Sequence, residues 1–153
     1  MNVDLINPFI RATVDTFGKM LDCPVERSEM TLKEGRCPLY PVSGVIGMSG
    51  KGMGTVVLSL SQEFTLTATS TMLMTDIDEL DDDVVDAVGE LVNMVAGNAK
   101  NDLATFGLSI SLPSVVMGQN YSVSFPSRVT PIPVRFESPW GPLALEVGLE
   151  TSE

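Results

Sequence analysis

The sequence predicts an α+β domain, with a mainly antiparallel sheet and helices packed on one of its faces. One long amphipathic pattern indicates a helix over residues 82–106, and shorter helical patterns cover residues 8–21 and 62–74. Segments that alternate or are rich in β-branched residues read as strands and surround these helices, at 40–49, 54–60, 109–117, 132–138 and 143–149. Because no linker is long enough to split these elements, residues 1–153 are interpreted as a single domain.

The composition argues against several classes of function. The 153 residues include 20 Asp and Glu against 9 Lys and Arg, which gives a formal net charge of −11. Such a chain is a poor candidate for binding a nucleic-acid backbone or an anionic membrane, whereas a basic protein surface would attract it. It contains no histidine, so the commonest general base and metal ligand are absent.

The cysteines and the amino-terminal sequence indicate a compartment. Cys23 and Cys37 do not have zinc-site spacing, and we expect reduced residues in preference to a disulfide, although the sequence leaves their redox state open. The first twelve residues lack a basic region followed by a long apolar run. They therefore predict neither a signal peptide nor a membrane span, and a cytoplasmic location is expected.

The first half of the chain predicts two helices around a hairpin. Asn7 and Pro8 suit the start of the first helix, although it could begin near Val3 and bend at Pro8. Residues 25–33 form a candidate strand, and the glycines at 50 and 52 indicate a turn between the strands 40–49 and 54–60. These glycines do not have phosphate-loop spacing. Ser61 is a candidate N-cap for the second helix.

The long central helix is the strongest pattern in the chain. Acidic residues from Asp81 to Asp83 and at Asp86 suit the positive end of its dipole, and Gly107 is placed to end it. Its length would be about 37 Å. The apolar residues recur at spacings of three and four and predict the buried face: Val84, Val88, Leu91, Val92, Val95, Ala96, Ala99, Leu103 and Phe106.

The second half of the chain reads as strands and turns. We expect the strand over 109–117 to be interrupted at Pro113, and residues 118–127 to form a polar loop. Residues 139–142 make a turn between the last two strands. In the last strand Glu146 faces away from the apolar residues, as in a sheet with one covered side.

The outward face of the central helix carries the candidate site. An advance of about 100° per residue aligns six positions there: Asp83, Asp86, Glu90, Asn93, Gly97 and Asn101. Glu90 and Asn93 are neighbours on the surface because they are three residues apart. A carboxamide can hold a water, and a carboxylate can bind a Lys or Arg of a partner. The alternative is an ordinary solvated helix face.

This helix, read with its surroundings, resembles the CheC/CheX/FliY family of chemotaxis phosphatases, and CheX most closely. The family motif is Asp or Ser, three residues, Glu, two residues, Asn, which Asp86, Glu90 and Asn93 match. The resemblance extends over the opening NPFIRATVDTF segment, the GVIGMSGKGMGTVVLSLS hairpin and the ELVNMVAGNAK run. Pro113 is the candidate for a proline that follows the motif. The first helix lacks Glu-x-x-Asn, so one site per chain is expected, as in CheX.

The resemblance implies a phosphatase that acts on the aspartyl phosphate of a CheY-like response regulator. The partner would supply the phosphoaspartate, a Mg²⁺ ion and a lysine, and no cofactor or metal would bind this chain. Asn93 would orient the attacking water and Glu90 would pair with the lysine. Asp86 would contact the partner, and a homodimer joined at sheet edges is implied. Gly97 is a further candidate for partner contact because it lies on the same line of the helix, where a glycine lets a partner approach closely.

Other interpretations remain at this point. A non-catalytic adaptor would bind a response regulator without turnover, and a FliY-like switch component would belong to a larger assembly. Asn98 is expected to make a contact between elements and not to act in catalysis. Gly89 and Gly97 are each consistent with close packing or with function.

Overall fold

The computed structural model describes residues 3–30, 40–118, 123, 125 and 130–151. Its helices and strands follow in the order expected for the α+β class: α1 (Val3–Leu21), β1 (Glu26–Met30), β2 (Val42–Ser49), β3 (Gly52–Leu60), α2 (Gln62–Leu73), α3 (Asp82–Asp102), a 3₁₀ turn (Ala104–Phe106), β4 (Ser109–Ile110), β5 (Ser114–Met117), β6 (Ile132–Glu137) and β7 (Leu143–Thr151). None of these helices combines the length and apolar character needed to cross a bilayer.

The strands form one antiparallel sheet in the order β1-β6-β7-β3-β2-β4, and β5 also pairs with β2. The β2–β3 hairpin has the predicted turn, with Ser49 opposite Met53. β4 and β5 lie on the same edge of β2, where Met48 pairs with Ile110 and Val45 with Ser114. The predicted interruption at Pro113 is confirmed, because proline cannot donate a ladder hydrogen bond and here separates two short strands.

The helices cover one face of the sheet, as predicted. α3 packs against α1, α2 and β2. The approach to β2 is close at Gly44, where an added Cβ would lie 2.8 Å from Cγ1 and 2.9 Å from Cβ of Val92. The buried apolar side chains between helices and sheet form one core that includes Phe9, Phe17, Phe64, Leu58, Leu91 and Leu145.

The far end of α3 is attached to the β2–β3 turn. The amide of Lys51 donates to the carbonyl of Phe106 at 2.9 Å. Gly50, at φ +149°, approaches Gly107 so closely that a Cβ would lie 2.5 Å from the carbonyl oxygen of Gly107. Only glycine fits at position 50, and the contact fixes the end of the long helix to the sheet.

The boundaries of two helices differ from the simplest prediction. α1 begins at Val3 and contains Pro8, which is the earlier start that the sequence had left open. The prediction that α3 continues to Phe106 is wrong for its last turn, because Leu103 leaves the helical region at φ −114° and a 3₁₀ turn follows. The α-helical part is therefore about 31 Å long, and Gly107 ends the 3₁₀ turn in the left-handed conformation.

The opposite face of the sheet is less solvated than predicted. Glu146 lies on that face, between Val57 and Pro133, but is only 5 % exposed. The simple picture of one buried and one wet face is therefore wrong at the middle of β7. The predicted strand at 25–33 is confirmed over β1, while residues 31–33, Cys37 and most of the predicted 118–127 loop lie outside the described residues.

Candidate functional site

The start of α3 is fixed by a side-chain cap. Oδ1 of Asp81 accepts hydrogen bonds from the amides of Asp83, at 3.0 Å, and Val84, at 3.2 Å. Such a cap satisfies amides that have no partner within the helix. The predicted apolar face is buried along the α-helix, from Val84 to Ala99. Because that face is held against the core, the rotation of the helix about its axis is set.

The outward face consequently carries the polar residues that the sequence predicted there. Asp86 and Glu90 are exposed, and Asn93 is half-buried. Residues three apart on a helix have Cβ atoms about 5–6 Å apart, so the Glu90 carboxylate and the Asn93 carboxamide are neighbours. Asp86 lies one turn before Glu90 on the same face.

These side chains open onto a cleft of about 510 Å³ between α3 and the segment that joins β4 to β5. The helix contributes Val85, Asp86, Gly89, Glu90 and Asn93. The joining segment contributes Leu112 and Pro113, and β5 contributes Val115. The sequence had indicated the polar residues and Pro113. It missed the apolar wall, although an exposed leucine directly before a strand-breaking proline is a pattern that could have suggested it.

Two glycines lie beside the walls of the cleft. Gly89 is buried, and a Cβ there would lie 3.5 Å from Cγ of Pro113, so the helix backbone rests against the proline ring. Across the sheet, Gly44 of β2 pairs with Val115 of β5. Gly44, which allows α3 to approach the sheet closely, thus lies next to β5, the strand that contributes Val115 to the opposite wall.

The polar side chains of the cleft are available to a partner. Among the described residues, none makes a hydrogen bond or ion pair with the side chains of Asp86, Glu90 or Asn93. Among the described residues of the lining are two carboxylates and one carboxamide, and none of these residues is cationic. Such a surface repels an isolated phosphate, but it can receive a phosphate whose charge is already neutralised by cations.

Two residues near the motif lie outside the cleft. Gly97 is half-buried on the same helix, does not line the cleft, and has open space where a Cβ would be. Asn98 donates through Nδ2 to Oγ1 of Thr16 at 3.2 Å. This contact between α3 and α1 is the structural role expected for Asn98.

The described residues contain no candidate metal site, and their free cysteine is buried. Within the described ranges, no group of three or more His, Cys, Asp or Glu is arranged to hold a metal ion. Cys23 is a free cysteine, only 1 % exposed. Burial raises the pKa of its thiol, and a hydrogen bond with Ser138 opposes that rise.

Comparison with known proteins identifies the family of this chain. The family model described as chemotaxis phosphatase CheX matches residues 42–137, which include the hairpin, α3 and both walls of the cleft. The chain therefore belongs to the CheX family.

Individual relatives agree with this assignment over nearly the whole chain. The CheY-P phosphatase CheX of Thermotoga maritima is 27% identical over 138 residues, which cover 88% of each protein. A CheC-like superfamily protein from a Shewanella species is 33% identical, with a TM-score of 0.88 and coverage of 98% of this chain and 99% of that one. The CheX of a CheX-CheY-BeF3-Mg²⁺ complex from Borrelia burgdorferi shares the fold, with a TM-score of 0.81, 23% identity and coverage of 97% and 99%.

Proposed function

We propose that this member of the CheX family is a phosphatase that hydrolyses the aspartyl phosphate of a CheY-like response regulator. The observation that carries the proposal is the Glu90–Asn93 pair, which lines a cleft on the outward face of α3 and makes no side-chain hydrogen bond or ion pair with any described residue. The Thermotoga relative is itself a CheY-P phosphatase. The Borrelia structure joins CheX to CheY with BeF3 and Mg²⁺, which supports a partner that carries its own metal ion.

Asn93 orients the water in this mechanism. Hydrolysis of an acyl phosphate needs a water in line with the bond that breaks, and the reaction is promoted mainly by positioning and electrostatics. A carboxamide can accept from and donate to that water without bringing a negative charge near the phosphoryl group. A hundredfold gain in rate from positioning corresponds to about 2.7 kcal/mol of barrier.

Glu90 binds the partner's lysine and fixes how deeply the phosphorylated site enters the cleft. The pairing is a charge-assisted hydrogen bond, which depends on geometry as well as charge. The absence of cationic groups from the described lining matches this division of labour. The partner brings the lysine and Mg²⁺, and this chain brings the acceptor and the amide.

Asp86 and Gly97 complete the proposed contact surface. Asp86 lines the cleft one turn before Glu90 and adds a second carboxylate for a basic group of the partner. Gly97 lies outside the cleft, and the open space at its Cα allows another backbone to approach. Gly97 would therefore act at the margin of the interface.

The test is phosphate release from a panel of phosphorylated, Mg²⁺-bound CheY-like receiver proteins. We expect the wild type to accelerate release from at least one receiver and Asn93→Ala to lose about a hundredfold of that acceleration. Asn101→Ala is the matched control, because Asn101 is exposed on the same face of α3 but does not line the cleft. Acceleration that survives Asn93→Ala would show that the site is assigned wrongly, whereas binding without acceleration would favour an adaptor.

The same proposal covers the organisation of the molecule. We propose that residues 1–153 act as one domain, which the continuous sheet of seven strands supports. A homodimer that joins sheet edges is proposed from the family resemblance, and sedimentation equilibrium would test it. We propose that the protein acts in the cytoplasm, because its proposed partner, a response regulator, would be found there.

A further inference from the structure

The apolar wall of the cleft has a feature that the proposed chemistry does not use. Leu112 lines the cleft and is 89 % exposed. When a partner covers this leucine, its apolar surface is removed from water, which lowers the free energy of the complex. Among the described large hydrophobic side chains, only Met74 is more exposed, at 92 %.

The backbone around Leu112 is held firmly. The amide of Ser111 donates to the carbonyl of Gly47 at 2.9 Å, and Oγ of Ser111 accepts from the amide of Gly47 at 3.0 Å. The same hydroxyl donates to the carbonyl of Leu112 at 3.0 Å. On the other side Pro113 lies against Gly89. Leu112 is therefore presented by a fixed segment, and little conformational entropy is lost when it is covered.

Leu112 also shares its cleft with both residues proposed to act on the phosphoryl group. Glu90 and Asn93 line one wall, and Leu112 lines the other. A protein that brings its phosphorylated side chain to Glu90 and Asn93 must pass over or beside Leu112. Because the buried centre of an interface is apolar and its rim is polar, an exposed leucine beside polar contacts suits the part of an interface from which water is removed.

We infer that Leu112 is a docking residue for the response regulator, which covers it with an apolar side chain beside its phosphorylated aspartate. The inference rests on the proposed function and adds a contact that determines affinity and not the chemical step. Pro113 and Val115 continue the apolar wall behind Leu112.

The experiment measures KM and kcat for wild type, Leu112→Ala, Leu112→Met and Met74→Ala. The substrate is the phosphorylated receiver that the wild type dephosphorylates in the panel assay. We expect Leu112→Ala to raise KM about tenfold and leave kcat within about twofold, as for truncation of an important interface side chain. Leu112→Met keeps most of the apolar surface and should restore KM. Met74→Ala is the control, since Met74 is equally exposed but outside the cleft.

Each outcome decides the inference. An unchanged KM in Leu112→Ala, or an equal rise in Met74→Ala, overturns the docking role while leaving the phosphatase intact. A fall in kcat at constant KM also overturns it, because Leu112 would then act on the chemical step. If the wild type accelerates no receiver, the proposed function fails and the inference falls with it. Unfolding midpoints should agree among all four proteins, because the exposed side chains make little buried packing.

Discussion

Gly44→Ala tests how the cleft is built. Gly44 lies on β2 beneath α3, and its new Cβ would lie 2.8 Å from Cγ1 of Val92, 2.9 Å from Cβ of Val92 and 3.3 Å from Cγ1 of Val88. Carbon atoms at their optimal separation are about 3.5–4.0 Å apart, so α3 must move away from the sheet by several tenths of an ångström or more. Overpacking of this kind typically costs about 1–3 kcal/mol.

The cost should be visible in stability and in activity. For a protein of this size, each 1 kcal/mol lowers the unfolding midpoint by about 2–4 °C, so the variant should lose about 2–12 °C. Activity should also fall, because Gly44 pairs with Val115 of the opposite wall and a displaced α3 changes the distance between Asn93 and Pro113. Thermal unfolding followed by circular dichroism, together with the phosphate-release assay, measures both effects.

A double mutant sharpens the test. Val92→Ala removes the methyl group at 2.8 Å but leaves the Cβ at 2.9 Å. The two substitutions together should therefore destabilise the protein less than the sum of the single variants, with only part of the clash relieved. Additive effects, or a Gly44→Ala variant as stable as the wild type, would refute the claim that this contact sets the position of α3.

Other expectations follow from single contacts. Asp81→Ala removes the cap of α3 and should destabilise the protein by about 1 kcal/mol in urea unfolding, while Asp81→Asn should retain most of the stability; equal losses would contradict the capping role. Gly97→Ala meets no atom within 4 Å and should raise stability by up to ~1 kcal/mol, with weaker receiver binding in calorimetry; unchanged binding would remove Gly97 from the interface. In a Cys37→Ser variant, Cys23 should react slowly with a thiol reagent at pH 8, because its burial limits access and its raised pKa disfavours the thiolate. The thiol stays protonated at pH values below its pKa, so labelling should become faster as the pH rises. Fast labelling at pH 7 would contradict the burial of Cys23.

The fold could be predicted because its strongest patterns are local. The apolar spacing along α3, the serine before α2 and the glycines between β2 and β3 each specify their own element. The last turn of α3 was harder, because a 3₁₀ turn keeps nearly the same apolar spacing as an α-helix. The burial of Glu146 could not be read from alternation, which distinguishes the two faces of a strand but not what covers each.

The polar half of the candidate site and Pro113 could be predicted, whereas Leu112 and Val115 of its apolar wall could not. Asp86, Glu90 and Asn93 lie on one helix, so their relation follows from helix geometry alone. Leu112 joins them only because β5 pairs with β2 and Pro113 rests on Gly89. Contacts between residues distant in sequence depend on the register of the sheet, which the sequence leaves open.

The attachment of α3 to the hairpin turn affects the free energy with which a partner binds. The helix is held by the Asp81 side chain at its start, by the core along its length, and by the Lys51–Phe106 hydrogen bond just beyond its end. Amide protons of its middle turns should therefore exchange with solvent only when the whole domain opens. A partner then meets Glu90 and Asn93 already in place, and the free energy of association is not reduced by the ordering of a mobile loop.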